Sequence, residues 1–383
     1  MKILFISSDN NKTSGAFLCL VELNRYLREV YHIDTLIIIP KKGDGVQLLD
    51  KYKIPYKFIP SYSWITYNGF GLKAIAKTAF KSMMMIYNHF AIKKIRQVIR
   101  EENFDIVHTN TIFSYVGAKA AFAEHRKHIW HLRECIDRGY NSHILIGKRG
   151  YDLIAKSDAV IAVSDMVRKN YQDKLPDKEI QVVYDGVSAD LYKKRDIFLQ
   201  ERIQFTCIGG LIEHKNQKEV IHAASILEKK GYQNFHVNLV GRGPMKQELQ
   251  SEITRLGLDE YITLCGTFDR IQDILGKTDV VCVASKSEAF GRTTVEGMLQ
   301  GCLIIGANTS NSATKELIQD RKTGFLYTSG NENALASIMG YCLNNENWTE
   351  LQNVAANGQS FALQTFTNAV NAKNILFIYD TIA

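Results

Sequence analysis

The sequence predicts an α/β protein made of two doubly wound parallel-sheet domains. Three observations predict it. Short apolar runs of the kind buried in parallel sheets alternate with stretches of helical periodicity along nearly the whole chain. The alternation opens with a strand, helix, strand unit and restarts near Ile203, after a charged connector. The chain has 383 residues, 45% of them hydrophobic, which at ordinary domain sizes is enough for more than one core.

In order, Lys2-Ile-Leu-Phe-Ile6 is the first strand. Phe17, Leu20, Val21, Leu23, Leu27 and Val30 are spaced as the buried face of the first helix, and the stretch from His32 to Pro40 holds the second strand. The N-terminal apolar run stops after a few residues with no small-residue cleavage site behind it, so it reads as a strand and not as a secretory leader. Gly15, in the turn after the first strand, is placed to face a ligand crevice. No Gly-x-Gly-x-x-Gly occurs there, which argues against a nicotinamide oxidoreductase. Between Asp50 and Glu101 there is no acidic residue, while Lys73, Lys77, Lys81, Lys93, Lys94, Arg96 and Arg100 punctuate an apolar helical stretch. Residues 71–100 are either a surface helix solvating its lysines or a cationic face resting on anionic lipid.

Phe104 to Asn110 and His128 to Glu134 are further strands with polar ends. The carboxyl ends of parallel strands line a binding crevice, so His108, Asn110, His131, Arg133 and Glu134 are candidates to meet substrate. Arg133 either holds an anionic acceptor group or pairs with Glu134. The loop from Asp137 to Asn141 reads as an acceptor wall. Strands at Ala159–Ser164 and Ile180–Val187 follow, and the run from Tyr192 to Asp196 is the expected boundary between domains at 1–192 and 196–365.

The second half begins with a strand at Ile203, a turn at Gly209 and Gly210, and a helix near Asn216. A strand from Asn234 runs into Gly241-Arg-Gly-Pro244, with Pro244 suited to a helix's first turn. The next strand, from Ile262, ends at Phe268. Val280-Val-Cys-Val283 is a buried strand, followed by a polar loop, a turn at Gly291 and a helix start. There the amides of Arg292, Thr293 and Thr294 are expected to offer unpaired donors to an anion. Glu288 in the loop and Glu296 on the helix are expected to face one ligand bound over them. Gly301 to Gly306 supplies another strand.

Composition narrows the function classes. Seven scattered cysteines, none in a Cys-x-x-Cys pair, argue against a disulfide framework or a zinc site and fit a reducing cytoplasm. A net charge of +7 without any nucleic-acid-binding pattern gives no reason to expect a nucleic-acid partner. No run reaches the roughly 18 to 20 apolar residues that cross a bilayer, so membrane contact is expected to be peripheral, at the inner face of the plasma membrane.

Glu288-Ala-Phe-Gly-Arg-Thr-Thr-Val-Glu296 resembles the Glu, seven residues, Glu signature of the retaining nucleotide-sugar glycosyltransferases of family four. Those enzymes have the GT-B fold, two Rossmann-like domains facing an interdomain cleft, with a C-terminal helix (here about 366–383) returning to the first domain. Several other blocks resemble the family, among them the glycine turn with Lys215, Gly241-Arg-Gly-Pro244 and the strand ending at His131. The resemblance implies transfer of a sugar from a nucleoside diphosphate donor, with UDP as the expected carrier, to a saccharide or lipid-linked acceptor hydroxyl. Retention at the anomeric carbon, no metal and no further cofactor are implied with it. Capsule or other surface-polysaccharide synthesis in bacteria is the setting suggested.

Residue by residue, Lys215 would hold the diphosphate, Glu288 would orient the donor sugar, Glu296 would bind the ribose and His131 would position the sugar. Gly15, Gly209, Gly210, Gly241, Arg242, Phe268, Ala289, Phe290, Gly291, Arg292 and Thr293 would line the donor, and Asn110 and Arg133 the acceptor. Three positions depart from the pattern: Gly210 stands where the family has a phosphate-binding arginine, Asp185 where it has asparagine, and Cys302 where proline is frequent. The missing arginine leaves several readings open. Lys215, Arg292 and the amides suffice, or Arg242 or Arg133 substitutes, or activity is reduced, or the chain is a non-catalytic subunit that binds another enzyme.

Overall fold

A computed structural model describes residues 1–69, 72–138, 141–193 and 196–382; the side chains of 72–75 and 77 lie outside the described set. Part of the expected acceptor wall (139 and 140), part of the charged connector (194 and 195) and the side chains of Lys73 and Lys77 therefore fall outside the described residues. The chain divides into two compact units, one made of 1–186 and 368–383, the other of 187–367. The junction sits at Gly186 and Val187, ahead of the charged connector. There Gly186 packs against Asn368, with a Cβ at Gly186 placed 2.7 Å from the Asn368 Cα, so the chain leaves and re-enters the first unit at one place.

In the first unit β1 (Lys2–Ile6), α1 (Gly15–Glu29), β2 (Asp34–Ile39), α2 (Val46–Lys51), β3 (Tyr56–Phe58) and β4 (Ile65–Tyr67) lead into the long α3 (Leu72–Glu102). β5 (Ile106–Thr109), α4 (Val116–Ala123), β6 (Lys127–Leu132), β7 (Ser142–Ile144), α5 (Lys148–Ala155), β8 (Ala159–Ala162), α6 (Asp165–Gln172) and β9 (Ile180–Val182) follow. Among the described residues the sheet has seven strands in the order β3-β2-β1-β5-β6-β8-β9, every pair parallel. β4 and β7 form a separate antiparallel pair. Pleating divides the core: Ile3 and Phe5 of β1 pack with Leu20, Leu27 and the chain's last helix, while Leu4 and Ile6 pack with Ile95 and Ile99 of α3.

The second unit contains β10 (Ile203–Ile208), α7 (Gln217–Lys229), β11 (Phe235–Val240), α8 (Lys246–Arg255), β12 (Ile262–Gly266) and α9 (Gln272–Leu275). Then come β13 (Val280–Val283), α10 (Arg292–Gln300), β14 (Leu303–Asn308), α11 (Thr314–Leu317), β15 (Phe325–Thr328), α12 (Glu332–Leu343) and α13 (Trp348–Thr365). Its sheet is parallel in the order β12-β11-β10-β13-β14-β15. Finally α14 (Asn368–Ile382) belongs to the first unit, with Ala372, Ile375, Ile378 and Tyr379 in its core. In each sheet the strand order reverses beside the first strand, between β1 and β5 and between β10 and β13. Doubly wound sheets place ligands outside the strand ends at such points.

Candidate active site

In the second unit, β10 ends at Ile208 and the chain turns through Gly209 and Gly210 into a single tight turn, Glu213–Lys215. Asn216, left-handed at φ 55°, then starts α7. This geometry lays the Lys215 side chain over the strand end, its Cδ 3.4 Å from where a Gly209 Cβ would stand. Lys215 Nζ donates to both Glu288 carboxylate oxygens, at 2.6 and 2.7 Å. An ammonium has three donors, so one is left for another acceptor. Glu288 is fixed by its backbone: its carbonyl accepts from the Ala313 N–H at 2.8 Å, and its own N–H reaches the Asn311 carbonyl at 3.3 Å.

α10 opens directly beside this pair. Gly291 sits at φ 100°, ψ 53°, a conformation L side chains rarely adopt, and its ideal Cβ would lie 3.4 Å from both Glu288 Cγ and Thr294 Oγ1. The Thr294 N–H bonds the Gly291 carbonyl at 2.9 Å, which removes it from the expected set of anion donors. Thr294 Oγ1 is buried with no hydrogen-bond partner among the described residues. One turn on, Arg292 Nε donates to Glu296 Oε1 at 2.8 Å, so the second carboxylate of the signature also carries its own cation. The Phe290 ring is buried against Phe366, with centroids 6.0 Å apart, so any donor contact at this residue would come from its backbone; Ala289 is half-buried. Thr293 is half-buried beside Arg292 on the same first turn.

The glycines divide by cause. A Cβ at Gly241 (φ 150°) would stand 1.9 Å from the Gly209 carbonyl oxygen, so the turns after β10 and β11 are packed backbone on backbone. Gly241 is therefore demanded by the fold. At Gly210 a Cβ would meet nothing nearer than 3.5 Å, and the Arg242 carbonyl oxygen lies 3.8 Å from it. Gly210 leaves room for a side chain, and the Arg242 backbone adjoins that room; the Arg242 side chain is exposed and without a side-chain partner among the described residues. Phe268, after β12, is 39% exposed.

In the first unit the candidates form a second, buried cluster. Arg133 Nε donates to the Asn110 carbonyl at 3.1 Å and to Asn110 Oδ1 at 3.0 Å, and its guanidinium forms an ion pair with Asp185. Both ionic side chains are buried, and removing one partner from such a pair costs about 3–5 kcal/mol. This corrects three expectations. Arg133 pairs with Asp185 and not with Glu134, it is engaged and so is not offered to an acceptor anion, and it is no spare phosphate cation. Asn110 is likewise buried, donating to the Ala16 carbonyl at 3.0 Å beside Gly15. Gly15 itself is exposed, and a Cβ there would meet nothing within 4 Å.

His131 is fully buried, and its Nδ1 lies 3.4 Å from the Arg133 guanidinium and 3.2 Å from His108 Nε2. A guanidinium only donates, so His131 Nδ1 accepts and the ring proton sits on Nε2. His108 then donates from Nε2 and accepts at Nδ1 from the Tyr379 hydroxyl, 2.7 Å away on α14. Burial, reinforced by the Arg133 charge, holds both imidazoles well below their ordinary pKa, so both are neutral. His131 Nε2 has no partner among the described residues and is poised as an N–H donor. Glu134 is buried with Oε2 unpartnered, and burial pushes its pKa up to about 8.

Sequence reasoning missed Asp185 and Tyr379 as members of this cluster. Asp185 had a signal: an acid replacing a neutral residue in a chain with an unassigned buried-strand arginine. Tyr379 had none, lying 271 residues from His108. Among the described residues no group of three or more His, Cys, Asp or Glu side chains converges to hold a metal ion.

Two family models tile the chain: Glycosyltransferase Family 4 over residues 22–191 and Glycosyl transferases group 1 over residues 190–361. With the two parallel sheets and their GT-B structural neighbours, they place the chain among the family-4-type GT-B glycosyltransferases. A cyanobacterial structure, HepE of Anabaena in complex with UDP, superposes over 100% of both chains with a TM-score of 0.80 at 22% identity. Among characterised bacterial relatives, N-acetyl-alpha-D-glucosaminyl L-malate synthase of Bacillus anthracis is 26% identical over 65% of this chain and 68% of its own. An N-acetyl-D-galactosaminyltransferase of Campylobacter jejuni, named for a PP-undecaprenol-linked saccharide, is 30% identical over 37% of this chain and 38% of its own.

Proposed function

We propose that the chain transfers a sugar from a nucleoside diphosphate sugar, carried on UDP, to a hydroxyl of a lipid-linked saccharide in bacterial surface-polysaccharide synthesis, with retention at the anomeric carbon. The observation that carries this is the Lys215 and Glu288 pair at the carboxyl ends of β10 and β13, against the amino end of α10. As the bond from the anomeric carbon to the diphosphate breaks, negative charge grows on the departing oxygen. Lys215 and the helix end stabilise it. The acceptor oxygen bonds the same face of the carbon, and its proton passes to the departing phosphate oxygen. Glu288 orients the sugar hydroxyls, Glu296 takes the ribose, and Arg242 supplies the cation absent at Gly210. His131 offers the sugar a neutral N–H, a positioning contact and not a base. The transfer needs no metal and no further cofactor. A lipid-linked acceptor would hold the enzyme at the cytoplasmic face of the membrane.

Support for UDP comes from the HepE complex, and for a lipid-linked acceptor from the Campylobacter relative's name. Thermal shift across a panel of nucleotide sugars should single out a UDP-sugar. Product NMR should then show the donor's anomeric configuration kept; inversion would refute the retaining path. Lys215→Ala should lower kcat about 100-fold or more with little change in acceptor KM. Gly210 favours one other reading, a glycosyltransferase-like subunit that binds a partner enzyme. Calorimetric binding of the nucleotide sugar without hydrolysis or transfer to any acceptor would select it.

A further inference from the structure

The outward face of α3 is apolar where a solvated helix would be polar. The helix buries Asn88, Ala91, Ile95 and Ile99 on its core side. On the other side Phe80, Met83, Ile86, Tyr87 and Phe90 are 58%, 49%, 69%, 53% and 62% exposed. Their spacing puts all five on one stripe about three turns long. Tyr62, 43% exposed, meets the Tyr87 ring at 6.5 Å and widens it. Scattered exposed hydrophobes are ordinary; a contiguous aromatic stripe marks an interaction surface.

Charge indicates what covers it. The stripe runs directly into Lys93 and Lys94, exposed and without side-chain partners among the described residues. Lys81 is turned to the inner side of the helix, where its ammonium donates to the Ile65 carbonyl and lies 5.3 Å from the Tyr67 ring centroid, so it adds nothing to this face. Arg96 and Arg100 add little, since both pair with Glu124. No acid lies between Asp50 and Glu101, so pairing this face with a second copy would set cations against cations. Among the described residues no helix is long and apolar enough to cross a membrane. We infer that this face of α3 lies on an anionic bilayer surface, with Phe80, Met83, Ile86, Tyr87 and Phe90 at the headgroup boundary and Lys93 and Lys94 against lipid phosphates.

This goes beyond the transfer reading and stands apart from it, because vesicle binding needs neither donor nor acceptor. The test is flotation of the full chain with vesicles of phosphatidylcholine alone and of phosphatidylcholine mixed with phosphatidylglycerol. Binding should appear only with the anionic lipid and weaken as salt is raised. Lys93→Gln and Lys94→Gln should each lower partitioning about five-fold. Tyr87→Ser with Phe90→Ser should abolish it while the thermal melt stays unchanged; were that variant to melt early, the lysine pair alone decides. Equal binding to both vesicle types, no binding, or a sedimenting dimer that Phe90→Ser dissociates would each overturn the inference, the last in favour of a second copy.

Discussion

At the scale of single residues, the positions that depart from the family pattern can be tested one by one. Asp185, where the family has a neutral amide, pairs with Arg133, and the exposed Arg242 has its backbone carbonyl 3.8 Å from where a Gly210 Cβ would stand. Arg242→Ala should therefore lower kcat about 100-fold, and Gly210→Arg added to it should recover most of that loss, since the site has room. Failure of the double variant, with donor binding intact by calorimetry, would show that Arg242 is not the substitute. Glu134 gives a pH prediction. Its carboxyl is raised from 4.5 to about 8 in the fold, so between those values the unfolded chain releases a proton that the native state keeps, and stability falls as pH rises. Glu134→Gln should raise the Tm at pH 8 more than at pH 5. The neutral His108 and His131 act oppositely, costing stability as pH drops below 6.5, where only the unfolded chain protonates them.

At the scale of elements, most of the second unit's site was legible because its residues lie close in sequence to a strand end or a helix start. The turn at Gly291, Lys215 ahead of α7, and the two glutamates eight positions apart follow from local chemistry. What local chemistry could not supply is partnership: nothing in the sequence says that Lys215 meets Glu288, 73 positions away, or that Thr294 spends its amide on Gly291. The reason for Gly241 was equally hidden, because it lies in a backbone contact between two turns. Gly291→Ala tests the helix start. Its left-handed φ of 100° should make the change cost about 1–2 kcal/mol and push Glu288 and Thr294 apart, raising the donor KM as well as lowering the Tm. An unchanged KM would detach this turn from donor binding.

At the scale of the whole molecule, the alternation of strands and helices predicted two parallel sheets, and two parallel sheets are found. Their strand orders were beyond reach, since order depends on which non-adjacent strands pair. The first unit is also discontinuous in sequence. Ile375, Ile378 and Tyr379 of α14 join a core that also takes residues from α1, α2 and the sheet strands β1, β2, β5, β6 and β8, and the Tyr379 hydroxyl holds His108, which in turn bonds His131. Deleting 368–383 should leave a chain whose second unit still melts cooperatively while the first exposes its core and binds a hydrophobic dye; two cooperative melts would refute this. It follows that during synthesis the order of completion is reversed. The first unit must wait, with an open apolar seam, until α14 has followed the second unit out of the ribosome, so a chaperone's hold on a nascent chain should outlast the folding of that second unit.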